Sequence, residues 1–284
     1  MVKYFLYKFG QFCVRRLPLK CAYRLAVFIS DMQYYFSPRD RKAVVANLQE
    51  ILQTQKNVGW EAREVFRNFG RYLLEFFRMA KFLDAEYIKN NIEIINRQYA
   101  DQVIQSKKGG IILTAHIGNW EMGGMVISML GYPVVAVALP HKERPVNDLF
   151  NHQREMRGIK VIQSTGAIRK CIEMLKQNRL VALLADRDFG LTGEILDFLN
   201  KKVHIPKGPA VFSYKTGAPI LPVFFIRREE NRFCLFFEKP IFPQLSCPEE
   251  KAIPDLMRQY TALVEAKIRQ YPTQWLMFRK FWAE

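Results

Sequence analysis

Val181-Ala182-Leu183-Leu184-Ala185 is an apolar run with no polar residue at alternate positions. A strand with one wet face alternates; a strand that does not must be covered on both faces, as happens when helices sandwich a largely parallel sheet. Ile111-Ile112-Leu113 repeats the pattern. From about residue 90 the periodicities alternate accordingly, predicting strands over 91 to 96, 110 to 115, 133 to 139, 159 to 163, 180 to 185, 219 to 227 and 232 to 238. Helices are expected between and after them, over 121 to 130, 145 to 157, 165 to 177, 208 to 216 and 249 to 271. This is the order of an α/β fold, and 284 residues of 49% hydrophobic composition supply the core it needs.

Residues 1 to 89 read differently, as an N-terminal helical region preceding an α/β domain over 90 to 284. Helices are predicted over 4 to 16, 18 to 36, 40 to 54 and 60 to 83, with Ser37-Pro38 as a break and Ser37 or Asp40 as the cap that follows it. Phe66, Phe69, Leu73, Leu74 and Phe77 form a stripe expected to be core. The first thirty residues carry Lys3, Lys8, Arg15, Arg16, Lys20 and Arg24 and no acid, interleaved with Phe5, Leu6, Phe9 and Phe12. Such a segment either lies on an anionic membrane surface or packs on the α/β domain. No run of eighteen uncharged apolar residues appears, so shallow insertion is expected rather than a span, and no secretory signal is expected.

Lys and Arg number 43 against 27 Asp and Glu, a net charge of +16 that favours anionic partners. No zinc-finger, RRM or helix-turn-helix pattern accompanies it, which argues against a nucleic-acid binder. Cysteines 13, 21, 171, 234 and 247 are scattered and odd in number, as expected of buried thiols in a reducing compartment. Histidines 116, 141, 152 and 204 show no ligand spacing, so no metal is expected.

His116 follows the strand at 111 to 115, Gly118 permits a turn, and Glu121 falls in the next helix. One reading makes them a proton-transfer pair, with Glu121 accepting the imidazole N–H and orienting the base; the other makes His116 a buried histidine satisfied by backbone. Asp186 and Asp188 follow another apolar strand in Asp186-Arg-Asp-Phe-Gly190, and ligands of open α/β sheets bind beyond such carboxyl ends. Arg154 and Arg157 are candidates for phosphate recognition, as are Lys207 and Gly208 in a basic turn opening a helix.

In this order, His116-Ile-Gly-Asn-Trp-Glu121, Arg154-Glu-Met-Arg-Gly158, Asp186-Arg-Asp-Phe-Gly190, Ile205-Pro-Lys-Gly-Pro-Ala210 and Tyr271-Pro-Thr-Gln-Trp275 resemble the blocks of the lysophospholipid acyltransferase superfamily. Within it the chain resembles the bacterial lipid A biosynthesis lauroyl and myristoyl acyltransferases over roughly residues 40 to 280. Phe198-Leu199-Asn200 and Met277-Phe278-Arg279 depart from the usual pattern.

The resemblance implies a mixed sheet flanked by helices. It also implies transfer of a fatty acyl group from acyl carrier protein or coenzyme A to a hydroxyl of a lipid A precursor or related glycolipid. His116 would be the general base oriented by Glu121, Arg154 would engage donor or acceptor phosphate, and Asp186 would organise either the polar pocket or Arg154. No resident cofactor is implied, the acyl thioester being a co-substrate, and the enzyme is expected as a monomer at the cytoplasmic face of a bacterial inner membrane. Acylation of lysophosphatidate, or hydrolysis of an acyl thioester or acylglycerol, are the competing readings; no GxSxG nucleophile elbow is present.

Overall fold

The structure is a computed structural model that describes residues 2–156, 158–163, 166–188 and 193–282. Helices α1 (Val2–Arg16), α2 (Leu19–Phe36), α3 (Pro38–Ile51) and α4 (Gly59–Phe82) lead, close to the expected bounds. Pro38 opens α3 where a missing N–H leaves nothing unpaired. The expected side-chain cap there does not form. Ser37 is shared by both helices: its N–H ends α2 on the Gln33 carbonyl, its hydroxyl caps nothing, and Asp40 already lies inside the first turn of α3.

There follow α5 (Ala85–Asn91), β1 (Ile92–Ile95), α6 (Gln98–Gln105), β2 (Gly110–Thr114), α7 (Trp120–Met129), β3 (Val134–Ala138), α8 (Arg144–Glu155) and β4 (Lys160–Gln163). The chain continues through α9 (Ala167–Lys176), β5 (Leu180–Leu184), β6 (Glu194–Phe198), β7 (Lys201–Ile205), α10 (Gly208–Thr216), β8 (Ile220–Glu229), β9 (Arg232–Phe237) and α11 (Glu249–Gln270). Seven strands form one mixed sheet in the order β1-β9-β8-β2-β5-β3-β4. All neighbours are parallel except β8 and β9. The β6–β7 hairpin stands apart as a two-stranded sheet.

Successive residues of the unalternating strands feed opposite cores, as strand geometry requires. Ile111, Leu113 and Val181 pack with Cys171, Phe212 and Met257 from α9, α10 and α11. Ile112, Leu180 and Val134 pack with Phe76, Met125 and Val146 from α4, α7 and α8. α1 joins this second layer through Tyr4, Tyr7 and Val14, while Ala22 and Tyr23 of α2 pack with Leu74 of α4. In α1, Tyr7 stacks edge-on to Phe150 at 5.5 Å and Arg15 Nε donates to the Phe77 carbonyl at 3.1 Å. The outer face of α1 leaves Phe5, Leu6, Phe9 and Phe12 exposed, as α2 leaves Phe28, Ile29 and Phe36. Among the described residues no helix is long and apolar enough to cross a membrane.

The five cysteines are free, but only Cys171 and Cys234 are buried; Cys21 is exposed because it sits on the outer side of α2, contrary to the expectation of buried thiols throughout.

Candidate active site

Sheet register brings together two residues 70 positions apart. β2 and β5 pair in parallel with Thr114 opposite Leu184, and the Ala185 N–H still reaches the Thr114 carbonyl at 2.9 Å. Two residues beyond the pairing, each chain presents a polar side chain at the carboxyl end, His116 from one and Asp186 from the other. The His116 backbone N–H donates to Asp186 Oδ2 at 3.0 Å, and Nδ1 lies 2.8 Å from Oδ1. Trp275 Nε1 donates to Oδ2 at 2.9 Å. Asp186 is fully buried. Burial opposes its ionisation, but the His116 charge and hydrogen bond, Arg187 and the Trp275 N–H outweigh it and hold the carboxyl below the usual range. An ionised Asp186 accepts, so Nδ1 carries the hydrogen, and in the neutral imidazole the lone pair stands on Nε2.

Glu121 is therefore not the partner of His116. It stands in the first turn of α7, where Arg154 of α8 takes both its oxygens, Nε to Oε2 at 2.8 Å and Nη2 to Oε1 at 2.5 Å. Arg154 Nη1 donates to Asn151 Oδ1 at 3.2 Å. A bidentate guanidinium satisfies a carboxylate more fully than one imidazole N–H does, and the histidine's backbone and ring are already committed to Asp186. Burial works against the Arg154 charge and Glu121 more than restores it.

The turn between β2 and α7 is fastened on every side. Gly118 has φ +62°, and a Cβ there would strike the Phe225 carbonyl oxygen. Its N–H donates to the Gln274 carbonyl at 3.0 Å, Asn119 N–H to Phe225 at 3.0 Å, and Leu276 N–H to the His116 carbonyl at 2.8 Å. The Asn119 side chain accepts from Met122 N–H as the cap of α7, and its amide donates to Glu75 Oε2 at 2.8 Å. Glu75, on α4 and 1% exposed, also accepts from Tyr23 of α2 at 2.7 Å and pairs with Arg227 of β8.

Beside this turn opens a cavity of about 390 Å³, lined at its polar end by His116, Glu121, His141, Arg154 and Arg187. Its inner wall is apolar, with Ile112, Ile127, Val134, Phe150 and Phe225 among the residues on it. Tyr72 and Trp120, stacked at 4.5 Å between ring centroids, line it as well. Burial, then the Arg154 charge, keeps the His141 imidazole below its usual pKa.

Of the expected site residues, His116, Glu121 and Arg154 line the cavity and Asp186 supports it from behind. Asp188 accepts the Gly193 N–H at 2.6 Å. Lys207 stands 3.7 Å from Glu194 and Gly208 opens α10; the cavity wall reaches this stretch only at Pro206. Arg157 lies outside the described residues, as do Phe189 and Gly190.

Sequence reading missed the roles of Trp275, Glu75 and Arg187. The Tyr-Pro-x-x-Trp block marked Trp275 without saying what its indole meets, the Asp186-Arg-Asp-Phe-Gly190 block placed Arg187 at a strand end without giving it a role, and Glu75 carried no signal. Among the described residues no group of three or more His, Cys, Asp or Glu is placed to hold a metal ion.

Residues 1–284 match the profile of the family described as bacterial lipid A biosynthesis acyltransferase. A phosphatidylinositol mannoside acyltransferase of Mycolicibacterium smegmatis is 27% identical over 230 residues, covering 78% of this chain and 71% of that one. The enzyme of the same description from Mycobacterium tuberculosis is 26% identical, covering 76% and 68%. The crystal structure of the 1-acyl-sn-glycerophosphate (LPA) acyltransferase PlsC from Thermotoga maritima aligns over 87% of this chain and 98% of that one, with 14% identity and a TM-score of 0.41.

Proposed function

The chain belongs to the bacterial lipid A biosynthesis acyltransferase family and is an acyltransferase acting on a lipid hydroxyl; from that premise we propose that it moves a fatty acyl group from acyl carrier protein or coenzyme A to a hydroxyl of a lipid A precursor or related glycolipid. The observation that carries this reading is the 2.8 Å contact between His116 Nδ1 and Asp186 at the mouth of an apolar cavity. Asp186 fixes the tautomer, leaving Nε2 as the base.

In the proposed reaction the acceptor oxygen attacks the thioester carbonyl as its proton passes to Nε2. The tetrahedral oxyanion sits near the Arg187 charge and the positive end of the α7 dipole. Its collapse breaks the carbon–sulfur bond, and the departing thiolate takes the proton from the imidazolium. The products are an ester and a free thiol, and His116 is neutral again. The donor's hydrocarbon occupies the apolar inner cavity. Glu121 and Arg154, locked to each other, shape the mouth with no free charge of either sign.

The family's description favours a lipid A precursor as acceptor, and the mycobacterial relatives are described as acting on a mannosylated lipid. Both present sugar hydroxyls on a membrane lipid. The exposed apolar residues and basic charge of α1 and α2 suit peripheral attachment to the anionic surface where such a lipid lies. The test is an acceptor panel with labelled acyl donor, comparing an acylated disaccharide, a mannosylated glycolipid and lysophosphatidate. Transfer to a glycolipid that disappears in His116→Ala is expected. Transfer to lysophosphatidate alone, or donor breakdown at the same rate without acceptor, would overturn the assignment.

A further inference from the structure

Two adjacent glycines of α7 line the same cavity for different reasons. At Gly123 an added Cβ would lie 2.7 Å from Phe225 Cβ, so the position is bare because β8 packs tightly against the helix. At Gly124 the nearest heavy atom to an added Cβ is Ile159 Cδ1 at 3.7 Å, an ordinary contact. Gly124 is helical, with no positive φ, and glycine inside a helix is less stable than alanine. Neither its backbone nor its neighbours call for a glycine, and the space its side chain would fill belongs to the cavity.

The placement along α7 shows what that space is for. Glu121, Gly124 and Ile127 recur at one helix face, each about 4.5 Å further along the axis, and all three line the cavity. Along the helix the cavity wall thus offers the half-buried carboxylate of Glu121, then the bare Gly124, then hydrocarbon at Ile127, which is fully buried. Ala136 and Ala182, register partners on β3 and β5, keep the sheet side of the same cavity narrow in side chain as well.

Resting on the acyl-transfer reading above, we propose that Gly124 determines which acyl chains the enzyme accepts: its missing side chain leaves the passage by which a linear saturated chain enters the inner cavity. A side chain at this position constricts the passage one turn past the mouth. Chains that end before the constriction keep their contacts, and longer chains lose the burial of every methylene beyond it, about fourfold in affinity for each.

The experiment measures binding of coenzyme A thioesters from butyryl to palmitoyl, by calorimetry, to the wild type, Gly124→Ala and Gly124→Leu, with transfer rates recorded in parallel. Thermal melts verify that the variants are folded. The expected result is a length profile that bends to shorter chains, with palmitoyl losing about tenfold relative to butyryl in Gly124→Ala and more than about a hundredfold in Gly124→Leu. A Gly124→Leu profile that overlays the wild type's, or that falls by one factor at every length, overturns the proposal. Failure of the acyl-transfer reading would look different: the length-dependent binding and its truncation would be present while the wild type transferred no acyl group to any lipid hydroxyl.

Discussion

Asp186 accepts three hydrogen bonds, two from His116 and one from Trp275, and each has a separate consequence. Asp186→Asn keeps the shape but offers an amide where a carboxylate is needed, releasing the imidazole to the wrong tautomer. A fall in kcat of roughly 10³ to 10⁴ with little change in KM is expected from steady-state kinetics. Trp275→Phe removes one donor to a buried charge and should cost roughly ten- to a hundredfold in kcat, without abolishing the base. Because the native carboxyl is held below its unfolded value of about 3.9, it binds its proton later than the unfolded chain does as acid is added. Its contribution to stability is complete above that value and drains away as pH falls towards the native pKa, so urea unfolding of Asp186→Asn should lose less stability in acid than the wild type. The histidine was legible in the sequence, its partner was not: Glu121 is near in sequence, whereas Asp186 is brought near by strand register, which no single segment displays.

At the scale of elements, long periodic segments were legible and short ones were not. The stripe on α4 gave its core face, yet Glu75 on that same helix became the hub joining α2, α4, β8 and the turn between β2 and α7. Seven-residue α5 and eight-residue α6 hold too few turns to show a period. The β6–β7 hairpin escaped because its turn is Leu199-Asn200, both at positive φ, where glycine is the usual signal. Leu199 holds that conformation while buried, its N–H donating to Glu265 at 3.0 Å. Glu75→Ala would leave Arg227 buried and unpaired, and roughly 3–5 kcal/mol of stability should be lost in chemical denaturation, with the Glu75→Ala/Arg227→Met pair losing less than the two single changes added. The paired glycines of α7 should respond with opposite sign: Gly124→Ala gains roughly 0.5–1 kcal/mol from helix propensity, whereas Gly123→Ala loses about 1–3 kcal/mol to overpacking on Phe225.

For the whole molecule, the lead helices join basic residues to exposed apolar ones: α1 carries Lys8, Arg15 and Arg16 on the same helix as Phe5, Phe9 and Phe12. α1 rests on Phe77 and Phe150, and Phe150 itself lines the cavity, so the helix that exposes Phe5, Phe9 and Phe12 packs on its other face against the cavity wall. Sequence offered membrane contact and core packing as alternatives for this segment; the structure gives it an inner face that packs and an outer one that does not, a division that basic and aromatic interleaving cannot resolve by itself. Deleting these helices is a poor test, because Tyr23 and Arg15 tie them to Glu75 and Phe77 and the loss would unsettle the turn that carries His116. Surface substitution avoids this. Phe5→Ser/Phe9→Ser should leave thermal stability unchanged while reducing co-sedimentation with vesicles of phosphatidylglycerol and phosphatidylcholine, and Lys8→Glu/Arg24→Glu should act mainly at low salt, each reversed charge weakening attraction by about 1–2 kcal/mol near the surface. Undiminished sedimentation of both variants would place the membrane contact elsewhere on the molecule, and the cavity would then have to be approached from another side.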